Sequence, residues 1–253
     1  MLRPDPIFFR AFVALILLCT AVAPMAAGDR SSLSGFEILP PLSPDHRGLI
    51  SHGDRSLKNV ALTFDLCQTK GVRSGFDRKI IDILRETGTP ATFFLGGLWM
   101  RDHIAETRML AADTRFELGN HSWSHPDFSQ IPAEKIAGEV EETQRIMWEI
   151  LGYQGTLFRL PYGRYSDTAL AVIGDRGLYT IQWDVVSGDP DPNVTAGRMT
   201  AWVTDQARPG SIIIMHANGR GWHTAEALPV IIRSLRSQGY VLVTVSDLLG
   251  LDR

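Results

Sequence analysis

Val60-Ala61-Leu62-Thr63-Phe64-Asp65 is a β-rich apolar run that closes on a carboxylate, and its pattern returns along the chain. Further runs lie at 91–95, 116–118, 157–160, 179–183, 211–215 and 240–245, with helical periodicity filling the gaps. Ile80, Ile81, Ile83 and Leu84 fall on one helical face that Asp77 can cap. Ile136, Val140, Ile146, Met147 and Ile150 mark a longer amphipathic helix with Pro132 near its start. Leu228, Ile231, Ile232 and Leu235 mark another, closed by Gly239. Strands alternating with helices imply parallel pairing through right-handed crossovers. About seven such units suit a distorted, closed or nearly closed (β/α) barrel in a single domain. No Gly-rich phosphate loop follows the first run, which argues against a nucleotide-binding sheet.

The 253 residues are 44% hydrophobic and 21% charged, an ordinary globular composition. The formal net charge of −3 and the lack of a Lys/Arg stripe exclude a nucleic-acid partner. They also disfavour long-range steering of an acidic polymer. Residues 1–27 read as a signal peptide, with Arg3 and Arg10 ahead of an apolar run and small residues at Ala26, Ala27 and Gly28. That run is too short for a comfortable membrane span, so the expectation is an exported chain, periplasmic or secreted, without stable membrane insertion after cleavage. Residues 28–57 form an extended lead-in, and 58–253 the catalytic domain. Cleavage leaves Cys67 as the lone cysteine, so stability rests on the core and not on a disulfide.

Reactive side chains recur where strands end. Asp65 closes the first run, His121 follows the third, Arg159 ends the fourth, Asp184 lies near the end of the fifth, and His216 ends the sixth. In a parallel barrel these ends share one rim, where active sites form. His121 and His125, four residues apart in His121-Ser122-Trp123-Ser124-His125, can aim two imidazoles at one ion from a helical turn or a tight loop. A pair of solvated loop histidines is the bland alternative. Arg159 can hold a carboxylate in a bidentate pair or serve only as a structural ion pair. Trp222 lies in a Gly-rich loop after His216, where a ring could stack on a sugar.

Four ordered stretches resemble the polysaccharide deacetylases of carbohydrate esterase family 4, which include nodulation-type chitooligosaccharide deacetylases. They are Thr63-Phe64-Asp65, His121 through His125, Arg159-Leu160-Pro161-Tyr162-Gly163 and Ile214-Met215-His216. The resemblance implies removal of N-acetyl groups from glycans such as chitooligosaccharide or peptidoglycan. It also implies one divalent metal ion, zinc first, with cobalt or another divalent ion as alternatives. Asp65 is then the general base, His121 and His125 metal ligands, and Arg159 the residue that positions the base. The Tyr162 N–H binds the oxyanion, and His216 is the general acid. The family's metal-binding Asp directly follows the base, and here Leu66 stands in that place. Asp77, ahead of Cys67, is the expected substitute ligand. Val186 and Pro190 also depart from the family, which makes Asp184 the expected partner of Arg159 and turns Trp183 towards the core. A small cyclic amide as substrate and a non-catalytic carbohydrate-binding role are the competing readings.

Overall fold

The computed structural model describes residues 35–251; the signal peptide expected at 1–27 lies outside them. Its centre is β2 (Asn59–Leu66), whose neighbours are β3 (Ala91–Leu95), β8 (Ile212–His216) and β9 (Val241–Val243). Beyond β3 the sheet continues through β4 (Phe116–Asn120), β5 (Leu157–Phe158) and β6 (Tyr179–Ile181) to β1 (Leu49–Ile50). Beyond β8 it ends on β7 (Val185–Val186). Every pairing is parallel. Among the described residues no ladder joins β1 to β7, so the sheet curls as a distorted barrel without closing; one antiparallel bridge, His52 to Ser211, links the two sides.

All seven expected runs form strands. The two additional strands, β1 and β7, are two residues long and too short to leave a periodic signal. Because β1 pairs with β6, part of the lead-in is integral to the sheet.

Alternation along β2 decides which side chains reach the barrel mouth. Val60, Leu62, Phe64 and Leu66 pack outward, in one cluster with Ile80, Ile81 and Leu84 of α1 (Arg78–Glu86) and Ile231, Ile232 and Leu235 of α7 (Thr224–Ser237). Each such side chain contributes about 1.5–3 kcal/mol by leaving water. Ala61 belongs to a different cluster, with Phe94 and Ile212, and Thr63 and Asp65 share its face. Leu66 is fully buried in the outer layer, so the chain cannot present a carboxylate at the rim from this position.

Leu66→Asp is therefore expected to destabilise the fold by about 3–5 kcal/mol, as an unpaired charge in the core does. Leu66→Met is expected to cost less than about 1.5 kcal/mol. Urea unfolding of both variants checks this, and a Leu66→Asp protein of unchanged stability and higher activity would refute the outward placement.

Candidate active site

Arg159 follows β5 directly and has no exposed surface. Its Nη1 donates to Asp65 Oδ1 at 2.9 Å and to Thr63 Oγ1 at 2.8 Å, and Nη2 donates to the Gln182 carbonyl at 3.3 Å. The guanidinium lies 4.0 Å from the Phe94 ring centroid and 5.6 Å from that of Trp183. One nitrogen, not a bidentate fork, holds the carboxylate. Burial pushes the Asp65 carboxyl up, but Arg159, His121 and His216 together outweigh it and hold it below the ordinary value. Asp65 is thus ionised and fixed, as a general base must be.

The residues after β4 form a loop, not a helical turn, because Ser122 and His125 both adopt the left-handed conformation (φ 64° and 61°). Side chains pin the strained path. The Asn120 side-chain Oδ1 accepts from Ser122 N, Ser122 Oγ from His125 N, and Glu139 of α4 (Ala133–Leu151) from Ser124 N and Oγ. Trp123 lies against Gly97, where a Cβ would meet the indole at 2.1 Å.

His121 Nδ1 lies 2.8 Å from the Arg159 carbonyl, which can only accept. This nitrogen therefore carries the proton, and Nε2 keeps its lone pair, 3.5 Å from Asp65 Oδ2. Burial, against the opposing pull of Asp65, lowers the His121 pKa; burial and then His121 push His125 down to about 3. Both imidazoles are neutral at neutral pH, the state a metal ligand requires. His125 Nδ1 is buried with no hydrogen-bond partner, and the ring packs edge-on against Tyr162 at 4.5 Å.

Opposite this pair stands His216 at the end of β8, its Nδ1 3.0 Å from Asp189 Oδ1. Asp189 is buried and also accepts from Ser187 Oγ, Thr224 Oγ1 and the His216 N–H. Burial lowers the His216 pKa, but the Asp189 bond and charge raise it further, so the net shift is upward. With Nδ1 committed to Asp189, Nε2 is the nitrogen left to deliver a proton.

Asp65, His121, His125, Tyr162 and His216 line one cavity of about 310 Å³. Tyr162, itself left-handed at φ 58°, forms part of the mouth. Trp222 is 61% exposed and lies outside this lining, although its N–H bonds the Asp189 carbonyl. Asp77 is also elsewhere. Its backbone N–H is anchored to the Ala217 carbonyl at the start of α1, and its side chain caps nothing; the loop's return towards the rim uses residues 68–73 instead. The residue that does join the two histidines is Cys67, with ligand atoms of all three within 4.8 Å of one another. Burial, then Asp65, push its thiol up to about 12.

One further expectation is corrected, that for Asp184. β6 ends at Ile181, so strand alternation no longer governs the residues that follow. Asp184 turns to Arg55, Ser211 and the Ile212 N–H, leaving Asp65 as the carboxylate on Arg159, while Trp183 packs against the core as expected and also lines the cavity. Asp189 is the functional residue that sequence reading missed, because it lies in an irregular turn with no period to mark its direction.

Residues 52–181 match the polysaccharide deacetylase family. The chain is 31% identical over 200 residues to a peptidoglycan-N-acetylmuramic acid deacetylase of Bacillus subtilis, covering 78% of this chain and 73% of that protein. It belongs to the polysaccharide deacetylase family. Its deacetylase relatives are hydrolases of carbon–nitrogen bonds other than peptide bonds, and they indicate the same class for this chain. A solved peptidoglycan N-acetylglucosamine deacetylase superimposes on this family member with TM-score 0.74 at 28% identity, over 81% of this chain and 94% of the other. A CE4 family pseudoenzyme from Bacillus anthracis superimposes with TM-score 0.72 at 27% identity, over 82% of this chain and 69% of the other. The polysaccharide deacetylase fold therefore hosts both active and inactive sites, and the site decides.

Because Asp189 holds the His216 pKa up, Asp189→Asn is expected to move the alkaline limb of the pH–rate profile to lower pH. The protonated acid is present below its pKa and lost above it. A profile of kcat/KM against pH for both proteins checks this, and an unmoved limb would show that His216 is not the titrating acid.

Proposed function

We propose that this chain removes N-acetyl groups from N-acetylglucosamine-containing glycan, with peptidoglycan as the polymer, outside the cytoplasm. The observation that carries the reading is a base and an acid on one cavity, each with its own buried partner. Asp65 is held by Arg159, and His216 by Asp189. The neutral histidine pair and the unpartnered His125 Nδ1 fit a divalent cation between them. A cation held there supplies Lewis-acid polarisation of the acetamide carbonyl and acidifies water.

The residues perform the remaining work. Asp65 takes the proton of the attacking water, and Arg159 keeps the carboxylate ionised and aimed. His216 gives a proton to the departing nitrogen, without which the tetrahedral intermediate would expel water instead of amine. Tyr162 and Trp183 bound the space around the acetamido group.

The choice of polymer is supported by charge. Lys70, Arg73, Arg101 and Arg220 surround the grooves next to the cavity, with Asp102 the single acid among the groove-lining residues. This basic rim favours a glycan bearing carboxylates, such as peptidoglycan, over neutral chitin. Net charge alone hides it, because −3 is an average over the whole surface. Reading residues 1–27 as an export signal, from Arg3 and Arg10 ahead of an apolar run, supports action on an external polymer.

Asp65→Asn and His216→Ala are each expected to lower kcat by ~10²–10⁴-fold while the fold persists. Measuring acetate release from peptidoglycan and from chitooligosaccharide checks both role and substrate. Near-normal turnover in either variant would remove its assigned role. Lys70→Ala with Arg73→Ala is expected to raise KM for peptidoglycan several-fold and leave a neutral oligomer unaffected; equal effects on both substrates would argue against the charge reading.

A further inference from the structure

We infer that Cys67 is the third protein ligand of the cation, bound as a thiolate, which makes this a His₂Cys site. The inference rests on the metal-dependent reading above and concerns what completes the site once Leu66 has removed the adjacent carboxylate.

Four observations meet here. Leu66 is locked into the outer apolar layer, and the next residue turns back towards the mouth, bringing Cys67 within 4.8 Å of ligand atoms of His121 and His125. Cys67 is buried but belongs to none of the three apolar clusters, and it lines the same cavity as the two histidines. Its surroundings are polar and rigid. Ser74 Oγ and Asn218 Nδ2 both donate to its carbonyl, at 2.5 and 2.7 Å, and Asn218 Nδ2 also lies 3.7 Å from Sγ, where it can stabilise a thiolate. Finally, His125 is only 9% exposed, and its Nδ1 has no partner, a buried donor set that protein atoms alone leave incomplete.

The chemistry is consistent. Three protein ligands with an open fourth position is the pattern of catalytic zinc sites, which include mixed cysteine–histidine sets such as two cysteines with one histidine; thiolate and imidazole both suit the ion. A thiolate carries the same single negative charge as the missing carboxylate. On binding, the S–H bond is lost, its proton passes to solvent, and no oxidation state changes. Sulfur shifts preference towards zinc, cobalt and cadmium and away from magnesium, calcium and manganese.

The test is reconstitution of the full chain with Co²⁺, followed by absorption spectroscopy, with metal content and acetate release measured in parallel. The wild type is expected to show a sulfur-to-cobalt charge-transfer band that Cys67→Ser lacks. Cys67→Ser is expected to bind the ion at least ~10–100-fold more weakly, the scale set by losing even an outer-sphere partner of a ligand. Cys67→Asp guards against a folding artefact: it should recover ion binding without the band and lose the preference for cadmium over magnesium. A wild type that binds one cobalt with no charge-transfer band, and a Cys67→Ser protein of equal affinity, would overturn the cysteine ligand and leave the metal-dependent reading intact. Full deacetylation by a wild type that holds no metal would overturn both.

Discussion

A guanidinium with no access to water sits at the centre of the barrel mouth, and burying an unpaired charge of this kind costs several kcal/mol. Arg159 is tolerable there because four neighbours answer it: Asp65 by charge, Thr63 and the Gln182 carbonyl by hydrogen bonds, and Phe94 by its ring face. Its Nε remains buried and unpartnered, so the arrangement is held by geometry and not by full satisfaction. The same residue's carbonyl fixes the His121 tautomer. One side chain and its own backbone thus orient both the Asp65 carboxylate and the His121 ring, from strands that are not neighbours in the sheet. Removing the charge would free Asp65 and leave the mouth without its central anchor.

This dependence explains which features could be read from the residues alone. Strand ends are visible in a sequence because period-two apolar runs stop at a polar residue. Of the five strand-end residues that point to one rim, Asp65, His121 and His216 line one cavity, Arg159 lies buried against Asp65, and Asp184 faces elsewhere. Direction fails where the period fails. After Ile181 the chain is irregular, so alternation misdirects Asp184 and gives no signal for Asp189. Helix-start logic placed Asp77 correctly in the chain and wrongly in space, because backbone bonds to Ala217 and not loop length set its position. In sequence Cys67 ranks below Asp77, because a buried cysteine is usually a small apolar residue. Only the three-dimensional neighbours, two imidazoles and an amide, reverse that order.

The similarity to a pseudoenzyme fold makes the cost of the site an argument in itself. Ser122, His125 and Tyr162 all hold left-handed backbone, each at about 1–3 kcal/mol for a residue with a Cβ. The buried Arg159–Asp65 pair and the buried Asp189 add desolvation that a hydrophobic interior would avoid. Carbohydrate binding asks for aromatic faces and a few hydrogen bonds, and none of these strained positions is needed for that. What the strain does achieve is to aim two neutral imidazoles and an ionised carboxylate at the same few ångströms, with a separately supported imidazole facing them. Its Asp189 partner raises the His216 pKa, while burial lowers those of His121 and His125; one cavity therefore drives chemically identical rings in opposite directions. A proton donor and a ligand pair require that split, and a binding surface does not.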